Sequence, residues 1–201
     1  SHTVKLMQAA GIKGGIFSWD DILHEGPVPS GKDLVGLSRL RADFLIKQGY
    51  ADEKQVREKF SFRDGKLKEA LNFTQVTLWF EHDLYDQLQL IQILDWFNQQ
   101  QRESTELCLV QASDYLGRQK PDVIAELAKT TKWVSQKQLD LASEAWQAFT
   151  LNKPIELTNV DVHSPQFTLN GSVERWQANM PTLWAKGSAM FTELPTHQFH
   201  L

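Results

Sequence analysis

Apolar residues recur at the three- and four-residue spacing of helices along much of the chain. This spacing predicts helices over residues 3–10, 35–48 and 84–98, and mostly helical sequence from 121 to 149. Between 48 and 71 the sequence is more charged but is also predicted to be helical. Gly11 ends the first helix, and Pro154 interrupts the pattern after the last.

Three short runs rich in β-branched and aromatic residues predict strands over 14–19, 75–80 and 106–111. The order strand, helix, strand around residues 84–98 predicts parallel pairing through right-handed crossovers. We therefore expect an α/β fold with a mostly parallel central sheet, flanking helices and these three strands as neighbours. Residues 1–150 are expected to form the α/β core domain, and residues 151–201 a helical or irregular C-terminal segment packed on it.

Composition narrows the class of protein. The chain has 201 residues, 41% of them hydrophobic, so it is long enough for one substantial core. A net charge of −4, without a long basic stretch, disfavours nucleic-acid binding. Cys108, the single cysteine, lies in an apolar run and is predicted to be buried and inert. The absence of paired cysteines, of a signal pattern and of any membrane-spanning apolar run favours a cytoplasmic location and no membrane partner.

Two charged residues fall on helix faces that are otherwise apolar. Arg41 lies on the same helix face as Leu37 and Phe44. Asp86 lies on the same helix face as the apolar residues that follow it at helical spacing, which are Leu90, Ile93, Leu94 and Phe97. A buried guanidinium needs a carboxylate or a bound anion, so we expect Arg41 to pair with Glu25, Glu81 or, as first choice, Asp86. Equally, Asp83 and Asp86 suit a helix N-cap and an acidic first turn, which is a purely structural role.

Acid–histidine pairs follow two of the predicted strands. His24 and Glu25 come after the first strand, and Glu81 and His82 directly follow the second. Ligands of open α/β sheets gather beyond the carboxyl ends of strands, so these loops are expected to converge. Such groups can act as general acid and base or as metal ligands. The spacing matches no standard metal motif, and the common nucleotide and serine-hydrolase signatures are absent, so no metal is predicted and any cofactor stays open.

Two long strings carry a family resemblance. They are Trp19-Asp20-Asp21-Ile22-Leu23-His24-Glu25-Gly26-Pro27-Val28-Pro29 and Leu78-Trp79-Phe80-Glu81-His82-Asp83-Leu84-Tyr85-Asp86-Gln87-Leu88-Gln89-Leu90. With Arg41-Ala42-Asp43-Phe44-Leu45 between them, and residues 142–149 and 173–176 further on, the chain resembles a bacterial family catalogued as domain of unknown function 1835. The resemblance covers nearly the whole chain but implies no established reaction or ligand.

The resemblance also bears on the N-terminal end of the sequence. Members of that family usually begin with a short apolar strand ending in Asn-Gly-Asp-Ser, and Ser1 matches only the last of these residues. This N-terminal strand of the family, which would precede the strand predicted at residues 14–19, is therefore expected to be absent from this sequence. A Gly-Asp-Ser start is also typical of SGNH-type esterases, but no downstream Asp-x-x-His supplies the base, which disfavours that reading.

Two functional hypotheses follow. The first is an enzyme acting on a phosphorylated or otherwise anionic small molecule, with catalytic candidates His24, Glu25, Glu81, His82 and Asp86. Arg41 would bind the anion in this hypothesis, and the other candidate ligand-binding residues are Asp20, Asp83, Tyr85 and Gln87. The alternative is a non-catalytic α/β module that binds a ligand or a partner protein, its charged groups forming a structural network. The oligomeric state stays open.

Overall fold

A computed structural model describes residues 2–81, 83–102 and 105–151. In this part of the chain the fold is α/β, with six α-helices and a three-stranded mixed sheet. The expected C-terminal segment 151–201, including Pro154, lies outside the described residues except for Leu151. Ser1 and His82 lie outside them as well.

The helices agree closely with the apolar spacing. They are α1 (His2–Ala9), α2 (Leu34–Lys47), α3 (Glu53–Glu69), α4 (Leu84–Asn98), α5 (Pro121–Ala128) and α6 (Gln136–Thr150). Gly11 follows α1 at a φ of +78°, the left-handed conformation that ends helices. A short 3₁₀ turn, Ala70–Asn72, extends α3, so the charged stretch is helical as predicted.

The sheet contains β1 (Gln75–Glu81), β2 (Glu106–Ala112) and β3 (Lys132–Trp133), in the order β1-β2-β3. β1 and β2 are parallel, with the register running from Gln75 opposite Glu106 to Glu81 opposite Ala112, which confirms the predicted parallel pairing of the two strands that α4 connects. β3 is antiparallel to β2, so the sheet is only partly parallel.

Residues 14–19 are not a strand, and this part of the predicted sheet is wrong. Gly14 has a φ of +106°, which an extended strand does not accommodate. Further along, the Trp19 indole N–H donates to Gln92 Oε1 of α4 at 3.1 Å. The segment is therefore fixed to the helices by side chains instead of by a backbone ladder.

The main core lies where α4 packs against β1 on one side and α6 on the other. Its buried side chains include Leu78, Phe80, Leu90, Leu94, Phe97, Leu139 and Phe149. A smaller cluster of Ala42, Val56 and Phe60 joins α2 to α3. Cys108 is buried in β2 as predicted. Within residues 2–81, 83–102 and 105–151, none of the helices combines the length and the apolar character that a membrane span requires.

Candidate functional site

The loop between Asp20 and Pro27 is organised around Arg41 of α2. The Arg41 side chain is completely buried, as its position on the apolar stripe predicts. Its Nε and Nη2 donate to Asp21 Oδ1 at 3.1 and 3.0 Å. Nη1 donates to the Glu25 carbonyl oxygen at 2.5 Å, and Nη2 also donates to the Ile22 carbonyl oxygen at 2.8 Å. The guanidinium thus ties together the backbone of the loop that carries His24.

The predicted partner of Arg41 was wrong. The carboxylate is that of Asp21, and not that of Glu25, Glu81 or Asp86. The reason is the packing of α2, which lies mainly against α3. Its apolar stripe consequently meets the preceding loop instead of the first turn of α4.

Arg63 of α3 is a second buried guanidinium that the sequence analysis missed. Its Cζ lies over the rings of Trp19 and Phe60, 4.3 and 3.9 Å from their centroids. Nη1 donates to the Asp20 carbonyl oxygen at 3.0 Å and lies 3.5 Å from Asp21 Oδ2. The sequence could have predicted its burial, because Arg63 falls on the same face of α3 as the apolar residues Val56, Phe60 and Leu67. The same reasoning that singled out Arg41 therefore applies to Arg63.

His24 and Glu25 lie at the tip of this loop. His24 Nε2 is 3.4 Å from Glu25 Oε1, and the Tyr50 hydroxyl donates to Glu25 Oε2 at 2.6 Å. Burial lowers the pKa of His24, and its buried Nδ1 has no hydrogen-bond partner among the described residues, which also disfavours a second proton. Burial, together with the hydrogen bond to Glu25, raises the pKa of Tyr50 to about 12. Tyr50 follows α2 without any pattern that predicts this contact.

The loop meets the first turn of α4 through an aromatic contact. The His24 and Tyr85 rings are 4.3 Å apart between centroids in an edge-on arrangement. Tyr85 is 51% exposed, so it borders the solvent side of the site. Two of the sequence-predicted groups, the His24–Glu25 pair and the start of α4, are therefore brought together.

Carboxylates cluster where β1 leads into α4. Asp83 caps α4 by accepting the Asp86 N–H at 2.9 Å, and Asp86 Oδ2 accepts the Glu81 N–H at 2.6 Å. Gln87 is buried and its amide donates to the Glu81 carbonyl oxygen at 2.6 Å. Glu81 Oε1 in turn accepts the N–H of Leu116 at 2.7 Å. Asp83 is thus the N-cap that its sequence position predicts.

Burial shapes the acidity of this cluster. Burial raises the pKa of Glu81 and raises the pKa of Asp86 to about 7. The hydrogen bond from the Glu81 N–H lowers the pKa of Asp86, but this effect is smaller than that of burial. The negative charges of Glu81, Asp83 and Asp20 raise the pKa of Asp86 further. Asp20 is half exposed and its Oδ2 lies 2.9 Å from Lys59 Nζ. The pKa of Asp86 therefore lies much closer to neutral pH than that of an ordinary aspartate.

Neither a metal centre nor a known relative identifies the site. Among residues 2–81, 83–102 and 105–151, no three His, Cys, Asp or Glu side chains are grouped closely enough to hold a metal ion. The side chain of His82 lies outside the described residues. No protein-family model, no curated protein and no solved structure matches the chain. Membership of the family resembled by the two long strings stays a prediction.

Proposed function

We propose that the chain is an enzyme that moves protons on a small molecule at the surface formed by Asp86, Glu81, His24 and Glu25. One observation carries the proposal: a half-buried carboxyl group, Asp86, stands at the carboxyl end of a parallel strand beside a second acid. Carboxyl ends of parallel strands are where α/β folds bind ligands.

Asp86 is the general base of this proposal. A catalytic acid or base is most efficient when its pKa is close to the working pH, and the pKa of Asp86 is raised to about 7 by burial. His24, held neutral by burial, and Glu25 supply a second pair of proton-accepting groups across the Tyr85 ring. Two such groups in different environments are typical of acid–base sites.

The proposed substrate is neutral or cationic. The anionic substrate expected from the sequence depended on a free guanidinium, but the donors of Arg41 are directed at oxygens of the chain itself. The carboxylates of Glu81, Asp83 and Asp20 also surround Asp86 with negative charge. Like charges repel, so a phosphate group bound against Asp86 would be destabilised.

Untargeted metabolite profiling tests the proposal. The protein is incubated at pH 7.5 with a small-molecule extract from bacterial cells, and consumed and formed species are followed by mass spectrometry. Asp86→Asn keeps the shape and the acceptor oxygen but loses the base, and Asp122→Asn in the first turn of α5 is the matched control. We expect a conversion by wild type and by the control only, at a neutral or cationic compound.

The alternative is a binding module without catalysis. It is favoured by the buried charges of Arg41, Arg63 and Asp21, which form a network within the chain, beside an exposed Tyr85. Under this alternative no metabolite is converted, and a ligand found by thermal shift raises the midpoint of wild type and of Asp86→Asn equally.

A further inference from the structure

The backbone of the His24–Glu25 loop has few hydrogen bonds of its own. Among the described residues, the backbone between Asp20 and Pro27 makes one local backbone–backbone hydrogen bond, from the Glu25 N–H to the Ile22 carbonyl oxygen at 2.9 Å, and the Ile22 N–H donates to Asp21 Oδ1 at 2.8 Å. Buried guanidinium groups contact further carbonyl oxygens of this segment. Arg41 reaches the oxygens of Ile22, Glu25 and Pro27, and Arg63 reaches that of Asp20.

We propose that Arg41 is the positioning residue of the candidate site: its guanidinium fixes the loop conformation that holds His24 against Tyr85. The contacts are placed on both sides of His24, at Ile22 before it and at Glu25 and Pro27 after it. The planar guanidinium fork carries five donors in fixed directions, whereas a lysine ammonium has three donors on a single nitrogen at the end of a flexible stem and cannot reach the same set of oxygens in the same geometry. This inference rests on the proposed function only in calling the loop part of a site.

Arg41→Lys separates geometry from charge. The positive charge of Arg41 by itself lowers the pKa of His24, and lysine keeps that charge while losing the fork. Arg63→Lys is the matched control. It makes the same chemical change at an equally buried residue that faces the same Asp21 carboxylate, but Arg63 does not contact the carbonyl oxygens on either side of His24.

The measurements are made by NMR on the folded protein. In Arg41→Lys we expect loss of the cross-relaxation between the His24 and Tyr85 rings, and exchange of the Glu25 amide faster by about tenfold or more, the effect of losing a charged hydrogen bond. The pKa of His24 should rise towards its ordinary value of 6.5 as the ring leaves its buried position. In Arg63→Lys all three properties should stay close to those of wild type.

Two results would overturn the inference: an unchanged ring contact and amide exchange in Arg41→Lys, or equal losses in both lysine variants. If Arg41→Lys does not fold, Arg41→Gln, whose amide N–H groups can still donate to the Asp21 carboxylate, takes its place with the ring contact and the amide exchange as readouts. None of these measurements needs a substrate. If the metabolite experiment finds no conversion, the proposed role of Arg41 still stands. If the NMR measurements contradict the role of Arg41, the catalytic proposal is still decided by whether a metabolite is converted.

Discussion

Asp86→Asn is expected to stabilise the protein above neutral pH. Burial raises the pKa of Asp86 from 3.8 to about 7 on folding, so the folded state holds the proton more tightly than the unfolded chain does. The folded state consequently loses free energy of unfolding as the pH rises from about 4 to about 7. Asparagine resembles the protonated acid and keeps an oxygen for the Glu81 N–H, so the variant avoids this loss.

The magnitude follows from the two pKa values. The difference between 3.8 and about 7, at about 1.4 kcal/mol per pKa unit, gives about 4 kcal/mol as an upper limit above pH 7. Two effects reduce it. The side chain is only half-buried, and the carboxylate gains about 0.3–1 kcal/mol from the dipole at the start of α4. We expect the variant to exceed wild type by about 1–3 kcal/mol at pH 8, and by much less at pH 4.

Urea unfolding followed by tryptophan fluorescence measures this difference at pH 4, 6 and 8. Asp122→Asn is again the control, since Asp122 is exposed and lies in the first turn of α5, where its carboxylate interacts favourably with the helix dipole. It should lower the free energy of unfolding by a few tenths of a kcal/mol at pH 8. An Asp86→Asn variant that is less stable than wild type at pH 8, or whose difference from wild type does not change with pH, would refute the reasoning.

Three more predictions follow from the same structure. Arg41→Ala should lower the free energy of unfolding by about 3–5 kcal/mol in urea, because it leaves the buried Asp21 carboxylate without its main partner; a loss below about 1 kcal/mol would contradict this. Gly26→Ala should lower the thermal midpoint more than Gly31→Ala, since both glycines have a φ of +74° but only the new Cβ at 26 meets the Phe44 ring, at 2.6 Å. Cys108 should react slowly with a thiol reagent until urea unfolds the chain, because it is buried and burial raises the pKa of its thiol; fast labelling of the native protein would count against this.

Helix spacing predicted most of the described fold. A helical pattern of ten or more residues depends on many positions at once, so α2 and α4 were predicted close to their observed bounds. The helical sequence predicted from 121 to 149 is divided into α5 and α6 by the short strand β3. Residues 14–19 are a short run in which two glycines precede the aromatic residues. There, the contacts of Trp19 with Gln92 and Arg63 outweigh the preference of the aromatic residues for a strand. The secondary structure of such a short run depends on its tertiary contacts, which the spacing of apolar residues does not reveal.

The candidate site, like the fold, was predicted only in part. Periodicity predicted that Arg41 is buried, and capping preferences predicted Asp83 as the N-cap of α4. Neither says what lies opposite a helix face, so Asp21 was not identified as the partner of Arg41. Tyr50 was missed because its contact with Glu25 joins the end of α2 to a loop 25 residues earlier in the chain.

The two halves of the candidate site are held by different physical means. The strand-end half, with Glu81, Asp83 and Asp86, depends on hydrogen bonds between residues three to five positions apart in the chain and on α4, which contributes to the main core. The loop half, with His24 and Glu25, depends on a buried guanidinium from a different helix. The His24–Tyr85 ring contact joins the two halves directly. Because local hydrogen bonds persist when a distant ion pair is broken, a change at Arg41 should displace the loop half while Asp86 keeps its environment.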